Sequence, residues 1–119
     1  MQSRTIFVSL LASALLLGFG TASAADGNAA AGKTKAVACE ACHGQDGNGI
    51  APNYPALAGQ YRDYLEQALH EYKDRKRIHP IMDAMADQLS DQDIEDLAAY
   101  FSSLPSKLSD LHGKIQGGN

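Results

Sequence analysis

Cys39-Glu40-Ala41-Cys42-His43 is the stretch of this chain whose residue types and spacing could do chemistry on their own. Two thiols three positions apart lie on one side of a helical turn, where they can form thioethers to the two vinyl groups of one porphyrin. The next residue, His43, is then placed beneath the iron as its proximal ligand. Other chemistries use the same atoms. A disulfide between Cys39 and Cys42 is sterically possible, but it explains neither the adjoining histidine nor the long loop that follows. A thioredoxin-like pair needs a βαβ setting, and no run of alternating β-branched residues supplies one. A structural zinc needs two further Cys or His ligands at matching spacing, whereas His70, His79 and His112 are scattered. Covalent attachment of one c-type haem accounts for the most residues. The far face of its iron is then either open or filled. A thioether opposite histidine fills it and raises the potential, and beyond the first two dozen residues only Met82 and Met85 carry one.

Several elements must position these groups. Asn28 is a plausible cap for an alanine-rich helix over about Ala29 to Ala38, leading straight into the cysteines. Residues 44–59 read GQDGNGIAPNYPALAG, an irregular loop of a length seldom kept without a purpose. A second helix fits Gln60 to about Lys73, with Tyr61, Tyr64, Leu65, Ala68, Leu69 and Tyr72 on one stripe. A helical turn is expected over Asp83 to Gln88. The last helix starts at Ser90, with Asp93 in a variant of the capping box, turns Ile94, Leu97, Ala98, Phe101 and Leu104 inward, and stops at Pro105. The class is all-α.

The 119 residues hold 10 Lys+Arg against 14 Asp+Glu, a net charge of −4 that argues against a nucleic-acid partner. Residues 1–24 combine Arg4, an apolar run from Ile6 to Phe19 and the small-residue end Ala22-Ser23-Ala24, the layout of a cleaved secretory signal. The run falls short of the roughly 20 apolar residues needed to span a bilayer. The expected mature protein is therefore soluble, exported and periplasmic, with one domain over residues 25–105 and a tail over 106–119. A domain this small has a thin core, and a buried porphyrin would enlarge it. The basic run Lys73-Asp74-Arg75-Lys76-Arg77 could steer a redox partner, although cations at a helix C-terminus are favourable with no partner at all.

These features resemble class I cytochromes c, and closely one half of the dihaem periplasmic cytochromes c, although a single attachment motif is present here. The likeness runs from about Ala30 to Leu104. It is carried by Gly32 seven residues before the first cysteine, by CEACH, by APNYPALAGQY and by MDAMADQLSDQDIEDLAAYF. The resemblance implies a small cytochrome c fold, with N- and C-terminal helices packed around a covalent haem wrapped by long irregular loops. In that family the ligand methionine precedes a Leu-Ser pair by seven residues, which selects Met82 over Met85. The family's Pro-x-Leu-x-Gly segment matches 55–59, so the Pro55 carbonyl is expected to accept a hydrogen bond from His43. Gly32 is expected to let the first and last helices touch at Tyr100. The function so implied is electron carriage rather than enzymatic turnover, with one haem c and transient protein donor and acceptor. A haem-bearing subunit of a larger oxidoreductase, or a haem enzyme or gas sensor with an open sixth site, stays as the alternative.

Overall fold

The computed structural model describes residues 26–107; the expected leader and most of the tail, including His112, lie outside them. Among the described residues there are five helices and no strand: α1 (Ala29–Lys35), α2 (Val37–His43), α3 (Arg62–Lys73), α4 (Pro80–Asp87) and α5 (Asp91–Ser103). The single helix expected over 29–38 is two, divided at buried Ala36 and continued through His43. Asn28 caps α1 by accepting from the Ala31 amide. Ser90 and Asp93 complete a reciprocal capping box on α5. The short turn expected at 83–88 starts earlier, because Pro80 occupies the first helical position, where its missing N–H costs nothing.

The core lies where α1 crosses α5. Gly32 makes that crossing possible: a Cβ there would stand 2.0 Å from the Asp96 carbonyl oxygen and 2.7 Å from Tyr100 Cβ. Ile94, Leu97, Ala98 and Phe101 are buried as the periodicity requires, with Leu104 packed against them. A polar clamp closes the same crossing. The carboxylate of buried Asp96 accepts from the Asn28 amide at 2.7 Å, from Lys35 Nζ at 2.6 Å and from Gln92 at 3.0 Å. Those donors hold its pKa down to about 2. Lys35 also pairs with Asp93 at 2.7 Å, and that carboxyl is lowered further still.

α3 behaves differently. Leu65 is its one fully buried residue, and Tyr61 lies just before the helix, 74% exposed, outside the expected stripe. α3 packs on α4 and α5, with Leu65 in the core, yet Tyr64, Leu65, Ala68, Leu69 and Tyr72 also line a cleft. α2 packs on neither α3 nor α4.

Candidate haem site

The cleft has a volume of about 430 Å³ and brings together Cys39, Cys42, His43, Pro55, Met82 and Met85. α2 supplies the two thiols and the imidazole; α4 supplies both thioethers, three residues apart on one helix face. The elements that present them are fixed locally. The α2 helix ends at Gly44, whose amide bonds Glu40, and the Gly49 amide returns to the His43 carbonyl at 2.7 Å. Gly47, at φ +70°, turns its carbonyl to accept from both Leu57 and Ala58, while a Cβ there would crowd Phe101 at 3.1 Å. This bridge folds the long loop back on itself and brings Pro55 against α2.

His43 is 6% exposed, and its Nδ1 lies 2.8 Å from the Pro55 carbonyl oxygen. A carbonyl can only accept, so Nδ1 carries the proton, and in the neutral ring Nε2 keeps its lone pair. That is the tautomer needed to bind a metal through Nε2, held by an outer hydrogen bond. The Cys39 thiol is half-buried, and burial, with Glu40 and Cys42 adding to it, pushes its pKa up. Both cysteines are free thiols.

The donor set and lining fit an iron porphyrin. The walls are mainly aliphatic and aromatic, no Asp, Glu or Lys lines them, and the soft or borderline donors are two thiols, the imidazoles of His43 and His79, and two thioethers. Among the described residues no three His, Cys, Asp or Glu cluster as a metal site. The apolar stripe of α3 then has an occupant to cover it.

Two residues at the cleft were not read from the sequence as part of it. His79 is exposed but also caps α4: its Nδ1 faces the Met82 amide at 3.4 Å and its own amide donates to Asp83. Arg77, read as part of a basic run, lines the cleft beside Tyr64 and Tyr72. The rest of that run is engaged within the chain. Lys73 donates to the Leu89 carbonyl and lies 3.8 Å from Asp91, Arg75 is bidentate on Asp87, and Lys76 pairs with Asp74 at 3.0 Å. Charge already matched by near neighbours is poor bait for a distant partner. Arg75 adopts φ 60°, a left-handed conformation uncommon outside glycine, at the C-terminal turn of α3.

The sequence of residues 25–105 matches the family model for cytochrome c. The chain is 53% identical over 98 residues to cytochrome c4 of Pseudomonas aeruginosa, an alignment covering 82% of this chain and 47% of that protein. It is 51% identical over 80 residues to cytochrome c-554(548) of Halomonas halodenitrificans, covering 65% of this chain and 96% of the relative. Among solved structures, reduced recombinant cytochrome c4 from Pseudomonas stutzeri superimposes with a TM-score of 0.65 at 46% identity, covering 69% of this chain and 48% of the other. The chain thus spans about half the length of the cytochrome c4 relatives it matches.

Proposed function

The chain belongs to the cytochrome c family, and on that footing we propose that it is a one-electron carrier rather than an enzyme, with one haem c held through Cys39 and Cys42. The observation that carries this reading is the gathering of both thiols, an Nε2-free imidazole and a methionine thioether in one apolar cleft. The bound haem supplies exchange of a single electron between ferric and ferrous iron. The chain's residues supply the rest. Cys39 and Cys42 would tether the group to α2, and the His43 imidazole, its ring orientation set by the Pro55 carbonyl, would ligate the iron. The Met82 thioether, on α4, would be the second protein ligand, favouring the reduced iron and keeping exogenous ligands out. Met85 lines the same cleft. The stripe of α3 excludes water and so limits solvent reorganisation when charge changes.

In this reading the mature protein is exported, acts in the periplasm and exchanges electrons with transient protein donors and acceptors. Its leader-like first residues support export, and no helix among the described residues is long and apolar enough to cross a membrane. A reductive titration of the matured protein, followed by visible spectroscopy and intact mass, tests the function. One covalent haem, one electron per chain and an iron–sulfur charge-transfer band are expected. A mass equal to the bare polypeptide would overturn the reading, and a five-coordinate spectrum would instead favour the open-site alternative.

A further inference from the structure

Asn48 is the one asparagine of the chain that a glycine follows. An asparagine amide in that setting is chemically labile, because no side chain shields it from the next backbone nitrogen. Here the pair stands at a junction. Asn48 Nδ2 donates to the Asp46 carbonyl at 3.1 Å and to the Pro105 carbonyl at 3.2 Å, and Oδ1 accepts from the Lys107 amide at 2.8 Å. One side chain thus joins the loop after α2 to the segment that leaves α5. The neighbouring nitrogen is engaged as well: the Gly49 amide donates to the His43 carbonyl at 2.7 Å. Glycine is required at 49, since φ is +79° and a Cβ there would run into the Tyr54 carbonyl oxygen.

We propose that Asn48 is a site of spontaneous covalent modification, converted to aspartate and isoaspartate at a rate set by opening of this loop, and that conversion unlatches the loop from the segment after α5. In the reaction the Gly49 nitrogen bonds to Asn48 Cγ and its proton passes to the side-chain amide, which leaves as ammonia. Water then opens the cyclic imide at either carbonyl, with no change of oxidation state. The folded chain resists at two points. The attacking nitrogen must give up its bond to His43, and the amide under attack is held by three bonds to other backbone groups. One local opening frees both. The product is no longer a clasp. A carboxylate only accepts, so the Asp46 and Pro105 carbonyls lose their donor. Its charge also arises beside Asp46, whose own carboxyl is held below the usual range, first by the Asn48 backbone amide. The inference uses only contacts of the chain with itself and stands apart from the carrier reading.

The test incubates the matured native protein and a synthetic peptide of residues 44–52 in parallel at mildly alkaline pH. Fragment mass spectra read conversion at Asn48 from the gain of an acid over an amide; isomerisation at Asp46-Gly47 adds no mass and does not interfere. The ratio of the folded rate to the peptide rate is expected to equal the opening constant given by hydrogen exchange of the Gly49 amide, and to rise with it in mild denaturant. A folded rate that ignores that constant would overturn the gate, and an opened chain that keeps its amide while the peptide converts would overturn the site. Asn48→Asp, which carries the product side chain, is expected to exchange the Gly49 amide faster and to melt at a lower temperature than the native chain. Native exchange and melting in that variant overturn the unlatching. If Asn48→Asp does not mature, the converted fraction of the native protein, separated by its extra negative charge, supplies the same comparison.

Discussion

The α1/α5 crossing and the α2/α4 cleft are built on opposite terms. At the crossing every group finds its partner within the chain: Gly32 admits the Asp96 carbonyl, and the Asp96 side chain is satisfied by three donors. The cleft, by contrast, sets an imidazole nitrogen, two thioethers and an apolar helix stripe around a space no side chain fills. One region is finished by folding and the other by a ligand. A small domain can divide its labour in this way because a porphyrin brings more apolar area than any side chain could.

Replacing Gly32 by Val should break the comparison most severely, because it attacks the self-sufficient side. A Cβ 2.0 Å from a backbone oxygen has nowhere to move, so the loss should exceed the roughly 1–3 kcal/mol of ordinary overpacking. Thermal denaturation should show it with haem bound. Replacing Cys39 and Cys42 together by Ser attacks the other side. Without a tethered group, side chains such as Leu69 and Tyr72 each forgo about 1.5–3 kcal/mol of burial. Amide hydrogen exchange should then reveal α3 and α4 losing protection well before α1 and α5.

Within the cleft, Met82→Ala should abolish the charge-transfer band and lower the midpoint potential. Met85→Ala should keep the band and lose less than the roughly 2 kcal/mol at which the range for a buried methionine begins, since Met85 is only half-buried. The opposite result would exchange their roles.

Acid sharpens the contrast more gently. The Asp96 carboxyl is depressed to about 2 from an ordinary 3.8. Its contribution is therefore fully present above the unfolded value and fades as pH falls towards the folded one. Melting temperature should drop over that interval in the native protein, and Asp96→Asn should flatten this limb while lowering stability at neutral pH. The smallest effect belongs to Pro55→Ala. The carbonyl that holds His43 belongs to the backbone and survives, so the spectrum should not change and stability should fall by only about 0.4–1 kcal/mol, through the freer unfolded chain.

What could be read in advance follows the same division. The attachment motif, the caps at Asn28 and Ser90 and the inward face of α5 depend on near neighbours in sequence, and local patterning carried them. The approach of Gly32 to Tyr100 came from family likeness, and the coordinates place those two residues in contact. Periodicity marked the α3 stripe as apolar but said nothing of what would cover it, since a helix facing a cofactor and one facing a core share the same repeat. The places of Arg77 and His79 at the cleft went unread for a related reason. Their roles depend on how a loop folds back over a helix, and composition reports only that the loop is basic.

Arg75 carries a last consequence. Glycine at that position would relax the left-handed backbone, yet it would also discard the fork that ties the end of α3 to Asp87 on α4. α4 carries both thioethers and α3 the apolar stripe, so the fork joins two walls of the cleft. Position 75 thus trades local backbone comfort for a rivet between neighbouring walls.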